Sequence, residues 1–189
     1  DGPSTKYLAR WTGTAWQPLG SGVDGVVNAL AVLPNGDAVV GGNFTTAGGA
    51  AVNRIVRWNG NSWVRLGSGM NNTVFALAVL PNGEIVAGGS FSDAGGVSAN
   101  RIARWNGTSW TPLGLGMNGT VFALGVLSNG HIVAGGTFTT AGGAAVNRIA
   151  LWNGESWSPL GSGLNNQVSA LTVLPDEQIV AGGNFTTAG

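Results

Sequence analysis

The chain has 189 residues, of which 34 are glycine, and only 8% of them are charged. Eight Lys and Arg balance eight Asp and Glu, and 43% of the residues are hydrophobic, which excludes a basic nucleic-acid-binding protein and a charged disordered chain. No apolar run approaches the roughly 20 residues of a membrane helix, the first residues lack the pattern of a signal peptide, and the absence of Cys excludes disulfides and thiolate metal sites.

The chain repeats itself with a period of 47 residues and no insertion. Residues 58–104 and 105–151 are identical at 32 of 47 aligned positions. The period is carried by three aromatic series, which are Trp11, Trp58, Trp105 and Trp152; Trp16, Trp63, Trp110 and Trp157; and Phe44, Phe91, Phe138 and Phe185. We therefore assign one unit over residues 1–189, with repeats at 10–56, 57–103, 104–150 and 151–189 together with 1–9.

Each repeat contains four predicted strands. The chain opens with the third and fourth strands of a repeat, Tyr7–Trp11 and Trp16–Leu19. The best-defined repeat has strands at Val74–Leu80, Glu84–Phe91, Arg101–Trp105 and Ser109–Gly114, with a loop at 92–100. The chain closes with first and second strands, Val168–Leu174 and Ile179–Phe185. The many glycines fall in turns and in the pairs that begin at Gly41, Gly88, Gly135 and Gly182, where backbones approach closely.

Four antiparallel strands in a tandem repeat of this length predict an all-β fold, a β-propeller of four-stranded blades. The apolar first strand suits the innermost position, and the fourth strand, with Pro18, Pro112 and Pro159, suits the outer edge. The two ends predict a composite closing blade, built from N-terminal strands three and four and C-terminal strands one and two. Either one chain closes as a four-bladed ring, or two chains exchange half-blades into an eight-bladed dimer, which we favour.

The repeated string GGxFTTAGGxxxNRIARWNGxSWxPLGxGMN, as in 135–165, resembles the repeats of Rax2-like and delta-60-type β-propellers across essentially the whole chain. A weaker similarity links it to tachylectin-type propeller lectins. The resemblance implies an extracellular or cell-surface module for adhesion or scaffolding, with no assigned catalysis. The first repeat departs from it, because Lys6-Tyr7 replaces Asn-Arg. The high internal identity also fits an excised or engineered fragment of a longer repeat protein.

No catalytic, metal or cofactor site is predicted. The single histidine, His131, occupies a hairpin turn position held elsewhere by Asp37, Glu84 and Gln178, which is typical of a solvated surface residue. No Ser-His-Asp or Cys-His set surrounds it, and no carboxylate pair recurs with the repeat. The Gly pairs lack the spacing and the lysine of a phosphate-binding loop. We therefore expect a protein that is not an enzyme.

Two sets of polar residues are candidates for ligand binding. Asp24, Asn71, Asn118 and Asn165 would form a ring of side-chain oxygens on one face, suited to a polar or weak cation ligand, unless each caps its own turn through an Asx hydrogen bond. Arg54, Arg101 and Arg148 recur at the start of the third strand. We expect each guanidinium either to have a structural role, donating to loop carbonyls or stacking on a neighbouring Trp, or to contact an anion or glycan.

The Trp pairs either pack between blades or, if exposed, stack against sugars. The sequence thus predicts a non-catalytic binding or scaffold module that forms a homodimer. A glycan-binding propeller lectin and a structural four-bladed monomer are the alternatives. We expect no nucleic-acid partner and no membrane span.

Overall fold

The computed structural model describes residues 5–189, and these form β-strands, turns and bends without a helix. The 22 strands are β1 (Ala9–Trp11), β2 (Trp16–Pro18), β3 (Val26–Val32), β4 (Ala38–Asn43), β5 (Thr46–Ala47), β6 (Ala50–Ala51), β7 (Ile55–Trp58), β8 (Trp63–Arg65), β9 (Val74–Val79), β10 (Ile85–Gly89), β11 (Asp93–Ala94), β12 (Val97–Ser98), β13 (Ile102–Trp105), β14 (Trp110–Pro112), β15 (Val121–Val126), β16 (Ile132–Gly136), β17 (Thr140–Ala141), β18 (Ala144–Ala145), β19 (Ile149–Trp152), β20 (Trp157–Pro159), β21 (Val168–Val173) and β22 (Ile179–Gly183). Among the described residues, none belongs to a helix long and apolar enough to cross a membrane.

Three complete sheets have four antiparallel strands each, which confirms the predicted strand arrangement of the repeat. Blade 1 has the order β3-β4-β7-β8, blade 2 the order β9-β10-β13-β14, and blade 3 the order β15-β16-β19-β20. Each inner strand lies beside the inner strand of the next blade, from β3 through β9 and β15 to β21. The blades therefore follow one another around a common axis in the order of the repeats.

The loop between the second and third strands contains a two-residue hairpin that the sequence did not predict. In blade 2 it pairs β11 with β12, and Ala94 also bridges to Met70 in the link that precedes the inner strand. Gly95 N donates to Gly69 O at 2.7 Å, which fixes the loop to the link. The sequence pattern did not reveal these pairings because each strand has only two residues, too few to show an alternation.

The glycine pair of the second strand lies where neighbouring chain segments approach closely, as predicted. A Cβ on Gly88 would lie 2.5 Å from Val121 Cγ1 of blade 3, and one on Gly135 would lie 2.6 Å from Val168 Cγ1. A Cβ on Gly89 would meet the carbonyl oxygen of Thr73, which directly precedes the adjoining strand β9. The first glycine of each pair therefore admits the next inner strand, and the second accommodates the bulge within its own blade.

Apolar side chains from adjacent blades form shared clusters. One cluster joins Val86 and Ile102 of blade 2 to Ile132 and Phe138 of blade 3. Phe44, Phe91 and Phe138 are among the largest fully buried side chains, each at the same repeat position. Because a blade buries its faces only against its neighbours, stability depends on stacking successive repeats.

The two ends of the chain form separate two-stranded sheets, β1-β2 and β21-β22, which do not pair with each other. The N-terminal half-blade, β1-β2, packs Leu8 and Leu19 against Val40 and Val56 of blade 1. The C-terminal half-blade, β21-β22, packs Val168 and Leu171 beside blade 3. The composite closing blade thus stays a prediction, and residues 1–4, assigned to that blade, lie outside the described residues.

Candidate functional site

The four predicted ring residues all point into the loop between the second and third strands of their own blade. Asp24 Oδ1 accepts hydrogen bonds from Thr45 N and Thr46 N at 2.7 Å each, and Thr45 Oγ1 donates to Asp24 Oδ2 at 2.7 Å. Asn118 Oδ1 accepts from Thr139 N at 2.8 Å and Thr140 N at 2.9 Å. Asn71 and Asn165 make the equivalent contacts in blade 2 and the C-terminal half-blade.

These side chains therefore cap a loop 21 and 22 residues further along the chain rather than their own turn. The sequence-based alternative was a local Asx turn, which needs a partner about two residues away. The structure brings the distant loop to the link because the Gly69–Gly95 bond and its copies join the two segments. Ligand binding by the four ring residues remains a prediction, and any ligand would compete with these hydrogen bonds.

Asp24 differs from the other three ring residues because it is ionisable. The backbone N–H of Thr46 has the largest effect, and together with the hydroxyl and N–H groups of Thr45 it lowers the pKa of Asp24 from 3.8 to about 2, although desolvation acts in the opposite direction. The carboxylate is stabilised by donors alone, whereas each Asn also donates from its amide nitrogen to a loop hydroxyl. Asp24 thus gives one loop a dependence on acidic pH.

Each Asn-Arg pair lies at the junction between the loop and the third strand. Asn53, Asn100 and Asn147 donate from Nδ2 to carbonyls of the following link, at 2.7, 3.0 and 2.7 Å. Arg54, Arg101 and Arg148 adopt left-handed backbone conformations with φ of 61°, 65° and 64°. Arg101 Nη1 donates to Met117 O at 3.3 Å, in line with the predicted contact to a loop carbonyl. In the first repeat Lys6 replaces the Asn, so the amide donor is lost.

The Trp pairs of the complete blades lie between blades. Trp105 and Trp110 have ring centroids 5.4 Å apart, and Trp110 Nε1 donates to Leu66 O of the preceding blade at 2.8 Å. Trp157 Nε1 repeats this bond to Leu113 O at 2.9 Å. Trp152 and Trp157 are only 7% and 6% exposed, so their rings are not available as sugar-stacking surfaces.

The scattered ionisable residues do not assemble into a site. Asp37 and Glu84 pair with Arg57 and Arg104 at 3.4 and 3.6 Å on successive blades. His131, at the same repeat position, is half-buried and its backbone N–H donates to Asn129 Oδ1 at 2.9 Å. In the described part of the chain, no three His, Asp or Glu side chains are grouped so as to hold a metal ion.

The N-terminal half-blade and blade 1 expose apolar residues whose repeat equivalents in later blades are covered. Trp11 is 53% exposed and Trp16 is 60% exposed, in contrast to Trp152 and Trp157. Leu30 of blade 1 is 60% exposed, whereas its equivalent Leu77 packs beside Gly41 of the preceding blade. Identical residue types at identical repeat positions thus differ in burial only because their neighbouring strands are missing.

Each half-blade borders an apolar cleft. The C-terminal cleft has a volume of about 330 Å³ and is lined by Ile149, Leu160, Leu164, Ile179, Ala181 and Phe185. The N-terminal cleft has a volume of about 290 Å³ and is lined by Leu8, Leu19, Leu30, Val32, Val40 and Trp58. Each cleft thus lies beside a sheet that has two strands where the complete blades have four.

Two glycines next to the C-terminal cleft have no neighbour where their equivalents have one. A Cβ on Gly161 would meet nothing within 4 Å, whereas one on Gly114 would lie 3.3 Å from Trp152. A Cβ on Gly182 would meet only Ala170, at 4.0 Å, whereas one on Gly135 would contact Val168 and Leu171. Sequence reasoning named Gly182 as the start of a glycine pair but did not single out Gly161, although the 47-residue period of glycine contained the signal.

Comparison with known proteins agrees with this architecture. The sequence profile of a family described as "domain of unknown function (DUF5122) beta-propeller" matches residues 80–107 and 127–151, which is less than a third of the chain. A structure of YCF48 bound to D1 peptide has a TM-score of 0.54 at 18% identity, covering 88% of this chain and 50% of that one. A catalytically inactive virginiamycin B lyase from Staphylococcus aureus with quinupristin has a TM-score of 0.50 at 16% identity, covering 82% of this chain and 48% of that one.

The chain is a β-propeller repeat protein. It spans about half the length of these two structures, and at such low identity the likeness concerns the fold alone. A search of curated protein sequences gave no match. The predicted propeller architecture is confirmed at this level, whereas the narrower resemblance to Rax2-like, delta-60-type or tachylectin-type repeats stays a prediction.

Proposed function

We propose that the chain is a non-catalytic β-propeller module for binding and scaffolding, and that two chains assemble into one eight-bladed ring from four repeats each. The observation that carries the proposal is the pair of apolar clefts at opposite ends of the arc of blades. An exposed apolar surface of this kind marks an interaction site. Here the two surfaces consist of complementary halves of the same blade.

The separation of the two half-blades favours the dimer over a four-bladed monomer. Within one chain, β1-β2 and β21-β22 form separate sheets that do not pair with each other. Closing these four repeats into one ring would require a movement of the blades that brings the two sheets together. A second copy supplies the missing blades without changing the packing between β3, β9, β15 and β21.

Light scattering coupled to size-exclusion chromatography tests this assembly. We expect a species of twice the 19.0-kDa chain mass. A species of single-chain mass at micromolar concentration would contradict the dimer and favour the four-bladed monomer. The setting that we propose, extracellular or at a cell surface, rests on the sequence resemblance, and the absence of catalysis is part of the same proposal.

Glycan binding is the second candidate, and the exposed Trp11-Trp16 pair favours it. The ring centroids are 5.6 Å apart, and both rings lie on the surface of the N-terminal half-blade. Exposed aromatic rings supply large contact areas for a ligand. Assembly and glycan binding compete for this pair, because the exchange of half-blades would cover it.

A titration of the 189-residue chain with glycans, followed by Trp emission, separates the two candidates. Quenching that disappears in the Trp11→Phe/Trp16→Phe variant would support a lectin. Emission that is blue-shifted, resistant to iodide and unaffected by glycans would support the scaffold. An Asn71→Ala/Asn118→Ala variant that keeps its affinity for the glycan would remove the loop-face oxygens from the binding hypothesis.

A further inference from the structure

The complete blades pair their second and third strands in one fixed register. In blade 3, Ile132 lies opposite Trp152, Ala134 opposite Ala150 and Gly135 opposite Ile149. Blade 1 and blade 2 have the same pairing, with Ala38 opposite Trp58 and Ile85 opposite Trp105. Because the 47-residue period is uninterrupted, the next repeat position after Trp152 is again that of Trp11.

Resting on the proposed assembly, we infer that β22 of one chain pairs antiparallel with β1 of a second copy, with Ile179 opposite the partner's Trp11 and Gly182 opposite the partner's Leu8. The intervening pairs are Val180 with the partner's Arg10 and Ala181 with the partner's Ala9. A two-fold axis relates the two copies, so the same pairing forms twice and both half-blades become complete.

The open positions beside the C-terminal cleft match the exposed residues of the N-terminal half one for one. Gly135 contacts the valine and leucine of the next inner strand, Val168 and Leu171, so Gly182 receives the partner's Val27 and Leu30. Gly114 contacts the ring of Trp152, and Gly161 therefore lies under the partner's Trp11. No contact in this set requires a conformation that the complete blades do not already have.

The tryptophan hydrogen bond between blades provides an independent constraint. Trp110 and Trp157 donate from Nε1 to the carbonyls of Leu66 and Leu113. The next carbonyl in this series is that of Leu160, which lines the C-terminal cleft. The partner's Trp16 Nε1 is its donor, which adds a directional contact to the apolar packing.

Disulfide cross-linking tests both the partner and the register. The chain has no Cys, and the non-hydrogen-bonded pair formed by position 180 and the partner's position 10 has the short Cα separation that a disulfide needs. In the single chain Val180 is about half exposed and Arg10 is exposed, so the Arg10→Cys/Val180→Cys variant leaves the core within each chain intact. We expect mild oxidation to give a covalent dimer that reductant dissociates.

The matched controls are the single variants and the pair that is out of register by one residue. Arg10→Cys and Val180→Cys chains should cross-link when mixed, but not when oxidised separately. Arg10→Cys/Ala181→Cys chains should cross-link at least tenfold more slowly, because neighbouring strand positions face opposite sides of the sheet.

The outcomes separate this inference from the proposed dimer. A wild-type dimer without the 10–180 cross-link, or with equal cross-linking of the out-of-register pair, would overturn the register and leave the dimer standing. A disulfide within a single chain of monomer mass would show that the half-blades meet in one chain, and would overturn the second copy as partner. A monomeric wild-type chain, together with an Arg10→Cys/Val180→Cys variant that forms no cross-link, would overturn both.

Discussion

The complete blades and the two half-blades contain the same residue types at the same repeat positions, yet they differ in burial. Trp152 and Trp157 of blade 3 are buried against blade 2, whereas Trp11 and Trp16 lie on the surface. Gly135 is covered by the next inner strand, whereas Gly182 is open. Burial in this fold is therefore a property of neighbouring blades rather than of the residue.

Even a partly completed neighbour changes the contacts. Trp63 of blade 1 packs against the N-terminal half-blade, and its Nε1 is buried without a hydrogen-bond partner, in contrast to Trp110 and Trp157. The preceding half-blade has outer strands β1 and β2 without inner strands beside them. The absence of the inner strands thus coincides with a missing hydrogen bond in the next blade. Four sets of variants compare such equivalent positions.

The largest contrast is expected from alanine at equivalent glycines. Gly135→Ala should lower the free energy of unfolding by about 1–3 kcal/mol, because its Cβ would overlap Val168 in a packed core. Gly182→Ala should leave the isolated chain unchanged or slightly more stable, but weaken dimerisation. Urea unfolding of dilute protein measures the stability of both variants, and sedimentation measures dimerisation. Equal losses of unfolding free energy in both variants would contradict the difference in packing between Gly135 and Gly182.

A smaller contrast is expected from Trp→Phe at the hydrogen-bonded and unbonded indoles. Trp157→Phe should cost about 1–3 kcal/mol of stability, because Leu113 O loses its donor in a buried setting. Trp63→Phe should cost less, since its Nε1 has no acceptor. Thermal unfolding of both variants provides the comparison, and a larger loss for Trp63→Phe would argue against the hydrogen bond as the cause.

Asn118→Ala should lower stability by roughly 1–2 kcal/mol, because two loop N–H groups and one hydroxyl lose their partner while remaining free to bind water. Asn118→Asp is the matched variant, since Asp24 makes the same backbone contacts in blade 1. The aspartate variant should retain the stability at neutral pH. Chemical unfolding at pH 7 tests both, and hydrogen exchange at Thr139 and Thr140 should report the loosened loop in Asn118→Ala.

The smallest effect is expected from the pH dependence at Asp24. Its pKa is about 2 in the folded chain and 3.8 without these contacts, so its contribution to stability is present above about pH 4 and is lost as the pH falls towards 2. Asp24→Asn should flatten this part of the pH profile, as the Asn at the equivalent positions makes uncharged contacts. Chemical unfolding of wild type and variant at pH 5, 3 and 2 measures this difference. Parallel profiles of stability against pH would contradict Asp24 as the cause.

Much of the architecture could be predicted because the signals are local and repeated. Asn82-Gly83 and its equivalents predict the hairpin turns, and the apolar run Val74–Val79 predicts the inner strand. The caps on the loop were not predictable in detail, because Asn71 binds Ser92 and Asp93 far along the chain. The hairpin β11-β12 escaped prediction for the same reason, since it depends on the link at Gly69.

The sequence by itself determined the period, the four strands of each repeat and the glycines at close approaches, because turn geometry and apolar patterning act over a few residues. The high glycine content of 34 residues, which is an unusual feature of the composition, is explained by a repeated set of turns and contacts between blades. Only the tertiary structure decided which tryptophans are buried, which glycines are covered and where the clefts lie. These properties depend on whether a neighbouring blade is present, and a residue's own repeat does not contain that neighbour.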